Sequence, residues 1–412
     1  MSEQERSTIF DSPGGSDEED IVFHVDMDCF YAACERLRNP ELSQEPIVIG
    51  MGYEQGKNHG VVATASYEAR EVGVESTQPI EEAADILPPI SETEDSEEAG
   101  HYFPVDMEFY QSVSADVKEI LHDSAETVRE VSVDEAYLDV TEQADWESVE
   151  AYAQQLKKQI KEDVGVVASI GVAPNMSAAK IASDYGKPDG LYIVFPDELQ
   201  DFLAPLSLEE IHELGPETAR ELRARGIETA GDLAEVDLSM LRNQYGSRGE
   251  KIFRYARGED DREVTPADPP KSFLRDAAFT EPTDEVAQQR EQVKTLARSV
   301  AQRAREHDAM YRSVGLKIIT PPFEKHTRRR TLSGPVDNPE LVEKVALELL
   351  EKEFDMGKVR KIGVFLTNLS YTEQNQADLG SWNGGGAEAS NNSTPVANEE
   401  SKKEDQTSLS DF

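Results

Sequence analysis

The sequence has little cysteine: only Cys29 and Cys34 in 412 residues. Its seven histidines are scattered, and no Cys/His group stands at metal spacing. A disulfide framework and a zinc site are therefore not expected. No apolar run approaches the roughly 18 residues that a membrane helix needs. The opening MSEQERSTIFDSPGGSDEED lacks a basic stretch followed by an apolar one, so it is not read as a secretory signal. A reducing cytoplasm, no membrane and a monomer are the expected setting. Positive charge is scarcest of all. Lys and Arg number 41 against 83 Asp and Glu, a net charge of −42. Composition alone thus argues against a nucleic-acid partner. The competing reading is adaptation to a cytoplasm of molar salt. There the Debye length falls to roughly 3 Å, and counterion release from DNA yields little. The acids are spread along the chain and spare particular segments, which favours salt adaptation.

What is present is an α+β pattern over several domains. Residues 1–19 read as an acidic tail. IVFHVDMD at 21–28 reads as a strand whose alternation sets His24, Asp26 and Asp28 on one face. A helix over 29–38 follows, then β-runs at 47–50 and 61–66 and a short helix ended by Gly73. SETEDSEE at 91–98 reads as a solvated loop. Then come a helix (107–123), two strands around an acidic turn (130–141), a helix (146–163), a β-run (166–173), a helix (175–184) and a strand (191–195). The stretch 207–236 reads as helix, Gly-Pro turn, helix, Gly turn, helix. From 272 the order is β-α-β-β-α-β. Beyond about 373 the chain turns to Gly, Asn, Ser and Glu, the composition of a flexible tail.

Asp26 and the pair Asp134–Glu135 converge if their strands are neighbours in one sheet. Phosphoryl transfer needs such a cluster: two Mg²⁺ ions, hard and oxygen-seeking, clamp the attacking hydroxyl and the leaving group. On these acids alone a nucleotidyl cyclase fits as well as a polymerase.

Four segments go further: HVDMDCFYAACE (24–35), GVVATASYEAREVGVES (60–76), SVDEAYLD (132–139) and SIGVAPNMSAAKIASDYGKPDGL (169–191). In this order they resemble the Y-family, lesion-bypass DNA polymerases of the polymerase IV type, over residues 21 to about 370. The resemblance implies a right-hand fold: a ferredoxin-like palm (20–29 and 106–194), small fingers (30–105), a helical thumb (200–265) and a little finger (271–371). It implies low-fidelity, template-directed synthesis over damaged DNA, without proofreading, from primer-template DNA and dNTP. Asp26, Asp134 and Glu135 match its metal-binding catalytic acids, and the Met27 carbonyl completes one ion's shell. Tyr31 matches the residue under the incoming sugar that selects deoxynucleotides. Tyr67, Arg70 and Lys187 match the triphosphate contacts, with main-chain amides near Cys29, Phe30 and Tyr31 at a helix N-terminus. Glu71 and Met176 depart from the pattern, where basic residues are usual.

Three further features bear on partners. HELGPETA, within 207–236, resembles a helix-hairpin-helix, whose turn at Gly215 offers amides to a DNA phosphate; Glu213 stands where a second Gly is usual. The segment 311–334 inverts the local charge: Arg312, Lys317, Lys325, Arg328, Arg329 and Arg330 against Glu324 alone. In the terminal QTSLSDF, Gln406, Leu409 and Phe412 follow the spacing of a sliding-clamp-binding peptide. A template-free cyclase and a non-catalytic clamp- and DNA-binding accessory protein are the alternatives.

Overall fold

The computed structural model describes residues 20–56, 59–93, 99–353 and 357–371. The chain forms two compact units, divided between Ala267 and Asp268.

The first unit begins β1 (Val22–Met27), α1 (Phe30–Arg38), β2 (Ile47–Met51), β3 (Val61–Ala65), α2 (Tyr67–Glu71), α3 (Ile80–Ile86), β4 (His101–Pro104) and α4 (Met107–Ser124). It continues β5 (Thr127–Glu130), β6 (Glu135–Asp139), α5 (Val149–Asp163), β7 (Ala168–Ala173), α6 (Met176–Gly186) and β8 (Leu191–Ile193). It closes with short helices: α7 (Leu199–Leu203), α8 (Pro216–Arg223), α9 (Ala230–Glu235), α10 (Leu238–Tyr245) and α11 (Ser247–Ala256).

Five strands form one sheet in the order β5-β6-β1-β7-β8. All six residues of the central strand β1 are buried, as its apolar composition requires. Phe23, Val25 and Met27 enter a core with α4 and α5, whose Val113, Val117, Ile120, Leu121, Leu156 and Ile160 recur at helical spacing. Helix α6 covers the opposite face. Asn175 caps it, accepting the Ala178 amide at 3.0 Å. Its approach to the sheet depends on Gly171: a Cβ there would lie 2.1 Å from the Ala179 carbonyl oxygen and 2.2 Å from the Ser183 amide. Three strands, β3-β2-β4, form a second small sheet, with β2 antiparallel to β3 and parallel to β4.

The helical segment departs from expectation at its start. Residues 208–210 make only a 3-10 turn, held by a Ser207–Glu210 capping box. The α10–α11 junction is a further tight turn, at Gly246 with φ +62°, which the sequence pattern did not reveal.

The second unit runs β9 (Ser272–Thr283), α12 (Val286–Glu306), β10 (Ala309–Thr320), β11 (Glu324–Val336), α13 (Pro339–Glu353) and β12 (Val359–Tyr371). This is the expected β-α-β-β-α-β order. The antiparallel sheet runs β11-β10-β12-β9. Its Val314, Leu316, Ile318, Ile362, Val364 and Leu366 pack with apolar residues of both helices, including Val293, Val300, Val342 and Leu349. Among the described residues of this unit, both helices pack on that one face, and alternation turns the remaining side chains of the sheet to the other.

Candidate active site

Asp26 and Glu135 are register partners across the β1–β6 ladder. Asp134 precedes Glu135, and its carbonyl accepts the Met27 amide at 3.0 Å. The three acids therefore meet at one end of two central strands. Each strand-borne acid has a lysine from the α6 region. Lys187 Nζ lies 2.7 Å from Asp26 Oδ2, and Lys180 Nζ lies 3.1 Å from Glu135 Oε1. The Ser132 hydroxyl donates to Asp134 Oδ1 at 2.5 Å.

Burial pushes the Asp26 carboxyl above the usual carboxylate range, although Lys187 opposes the shift. Burial raises Asp134 as well. It pushes Glu135 the same way, but the Lys180 ammonium beside it opposes burial, and that carboxyl is held well below its ordinary range. His24 is fully buried, and its pKa is lowered to about 4, chiefly by burial. Its Nδ1 lies 2.7 Å from Ser183 Oγ, whose single hydrogen goes to the Lys180 carbonyl at 2.8 Å. Nδ1 thus carries the imidazole proton. Nε2 stands 3.8 Å from Glu135 Oε2, too far for a hydrogen bond.

Among the described residues no three His, Cys, Asp or Glu side chains form a ready metal cage. The donor set still fits a hard divalent cation. Three acids stand at one end of two paired strands, two ammonium groups offset the charge of Asp26 and Glu135, and carboxylate oxygens suit an ion that keeps waters and phosphate oxygens.

Tyr31, on α1, is 4% exposed and stacks on Tyr110 with ring centres 4.6 Å apart. The Tyr110 hydroxyl donates to Glu35 at 2.8 Å, so the support is itself braced. The Tyr31 hydroxyl is pushed up to about 12, first by burial and then by the Asp134 carboxylate. Phe30 is buried beside it. Cys29, with φ 45°, turns the chain into α1 without a side-chain cap. Tyr67 and Arg70 sit on α2, with the guanidinium 5.3 Å from the Tyr67 ring centre. Arg70 Nε donates to the Ala65 carbonyl at 2.9 Å.

Asp28 goes elsewhere than Asp26. It accepts hydrogen bonds from the Ser169 hydroxyl at 2.8 Å, the Asp189 amide at 2.6 Å and the Tyr67 hydroxyl at 3.3 Å. One buried carboxylate thereby ties β7, the loop after Lys187 and α2 together.

Gly215 caps α8 in an extended conformation. Glu213 adopts φ +63°, a left-handed conformation that glycine takes at no cost. Its carboxylate meets Lys251 at 2.7 Å, and its carbonyl accepts from Arg248 at 3.1 Å. The acid is neutralised where it stands.

In the second unit the arginine triplet divides. Arg329 pairs with Gly315, on the helix-free face. Arg328 and Arg330 pair with Leu316 and Val314, whose side chains face the helices. Arg330 meets Glu348 of α13 at 2.8 Å. Gln406, Leu409 and Phe412 lie outside the described residues.

The impB/mucB/samB family model matches residues 25–184, and the model of that family's C-terminal domain matches 270–379. The DNA polymerase IV of Halobacterium salinarum is 50% identical over 367 residues, covering 89% of each chain. That of Methanoculleus marisnigri is 39% identical over 359 residues, covering 87% of this chain and 97% of its own. The chain belongs to the Y-family DNA polymerases. As a member of that family it is a DNA-directed DNA polymerase, which replaces the cyclase and accessory-protein alternatives. Among solved structures, a Y-family polymerase chimera of Dbh and Dpo4 superposes with a TM-score of 0.74 at 28% identity, covering 85% of this chain and 99% of the other. An insertion ternary complex of Dbh DNA polymerase gives 0.62 at 27%, with the same coverage.

Sequence reasoning missed Lys180, Asp28 and His24 as parts of this cluster. Lys180 hides in an alanine-rich helix, and Lys187 lies just beyond that helix's end, so helical spacing did not link the two. Arg248 and Lys251 were hidden because the α10–α11 turn was not recognised.

Proposed function

We propose that the chain extends a primer by low-fidelity, template-directed synthesis across damaged DNA, using Asp26, Asp134 and Glu135 as metal-holding acids. The register pairing of Asp26 with Glu135, beside Asp134 and Lys187, carries this reading. Two Mg²⁺ ions, when bound, activate the primer 3′-hydroxyl and offset charge on the transferred phosphoryl and the pyrophosphate. The Met27 carbonyl adds an oxygen donor to one of them.

The chain's own residues do the rest. Lys187, Tyr67 and Arg70 hold the triphosphate. Amides at the start of α1, about Phe30, take part of the same charge. Tyr31, braced on Tyr110, fills the space that a 2′-hydroxyl needs and so selects deoxynucleotides. Gly215 offers its amide to a DNA phosphate, and Arg329 reaches the backbone from the helix-free face of the second unit. Arg328 and Arg330 line the outer edge of that sheet.

The five-stranded sheet with its helices (20–29 and 106–194) acts as palm. Residues 30–105 act as fingers, 200–265 as thumb and 271–371 as little finger. Gln406, Leu409 and Phe412 dock on a sliding clamp. The polymerase works as a monomer in a cytoplasm of molar salt.

Primer extension in molar KCl tests the catalytic assignment. Glu135→Ala should lose about a thousandfold in rate while still binding primer-template. Equal extension by both proteins would overturn it.

A further inference from the structure

The helix-free face of the second unit is built in rows across four strands. One row is Lys325, Ile319, Lys361 and Ala278; the next is Thr327, Lys317, Gly363 and Asp276; the next is Arg329, Gly315, Phe365 and Leu274. These rows hold four cations and one acid. The acid is not at the rim. The Asp276 side chain is 3% exposed, with Lys361 Nζ at 2.8 Å and Lys317 Nζ at 3.6 Å. Lys317 reaches it across Gly363, where a Cβ would come within 2.8 Å of the Asp276 Cβ. The missing side chain at Gly363 opens the lane between the lysine and the acid.

Burying a carboxylate between two ammonium groups gives little net stability, and on a face for DNA it places a negative charge where phosphates approach. That cost needs a return. In molar salt an ammonium acts on a phosphate only near contact, because attraction beyond roughly 3 Å is screened. A freely rotating lysine then loses its rotamer freedom on binding with little long-range attraction to compensate. A lysine already held in place has lost that freedom during folding.

We propose that Asp276 is a positioning residue for DNA binding: it fixes Lys317 and Lys361 on the helix-free face so that they meet backbone phosphates in high salt. This rests on the reading that the face contacts DNA. Its signature is an exchange, with weaker attraction at low salt accepted for contact geometry that survives at high salt.

The test is primer-template binding by the full chain, followed by fluorescence anisotropy from low to molar KCl. Asp276→Asn should bind several-fold tighter at low salt. Its slope of log affinity against log salt should steepen by about one. In molar KCl it should bind several-fold weaker than wild type. Asp276→Glu, which keeps the charge but moves it, should retain the wild-type slope and lose only the high-salt affinity. If Asp276→Asn binds as well as or better than wild type at every salt concentration, the acid is merely repulsive and the proposal fails. Lys317→Ala combined with Lys361→Ala separates the two readings. Unchanged affinity and slope in that variant would remove the DNA face itself. Weakened binding there, with Asp276→Asn indistinguishable from wild type, would remove only the role of Asp276.

Discussion

The acid corner of the first unit and the helix-free face of the second both suit phosphate, yet they deploy charge in opposite ways. In the first, acids outnumber the lysines: Lys187 meets buried Asp26, Lys180 meets half-buried Glu135, and both lysines also face Asp184. In the second, four cations share one acid. The first arrangement suits a site that must also hold hard cations, because ammonium groups offset carboxylates that metal would otherwise neutralise. The second suits a surface that meets a polyanion directly. Net charge hides both, since a chain at −42 contains a patch where positive charge outnumbers negative four to one.

The comparison is sharpened most by Tyr31, which belongs wholly to the first site. Tyr31→Ala should lower the preference for deoxy- over ribonucleotides by about 100-fold, read from single-nucleotide insertion with each sugar, with little change in DNA affinity. Lys187→Ala comes next. Losing one charge-assisted phosphate contact should raise KM for dNTP about tenfold, while the salt dependence of DNA binding stays put; a changed salt slope would blur the two regions. On the second face, Arg329→Ala should reduce the slope of log affinity against log salt by about one. Arg330→Ala, whose guanidinium is bound to Glu348, should change it far less. Equal effects would mean that strand alternation does not sort these arginines.

The smallest effect is on stability. A chain-average histidine titrates near 6.5, but folded His24 is lowered to about 4. Between those values the unfolded chain binds the extra proton, so stability falls as pH drops through the window and levels off below it. The melting temperature of His24→Phe should fall less steeply over that range. His212, also lowered by burial, keeps part of the slope.

Much of this was legible in the sequence because it depends on local pattern. β1 reads as a strand from its alternation, although its burial on both faces does not, and the β-α-β-β-α-β order follows from alternating periods. The arginine triplet read as one basic patch; its split between two faces follows from the strand's period of two and emerges with the pairing of β11 to β10. Other features depend on long-range packing. Asp26 meets Glu135 only through the register of two strands over 100 residues apart. Lys180 reaches Glu135 only because Gly171 lets α6 lie close on the sheet. Helix α3 and strand β4 went unrecognised; β4 is four residues long and gains its pairing from β2, fifty residues earlier. The expected first helix at 207 shrank to one turn because its capping box is followed at once by extended Ile211.

Asp26 and Glu135 are proposed to hold the catalytic cations. The direct measurement is electron paramagnetic resonance titration with Mn²⁺ of the full chain, bound to primer-template and a non-hydrolysable dNTP. Wild type should bind two ions per chain, and Asp26→Asn or Glu135→Gln should lose at least one or bind it far more weakly. The same number of ions at the same affinity in both variants would contradict the account.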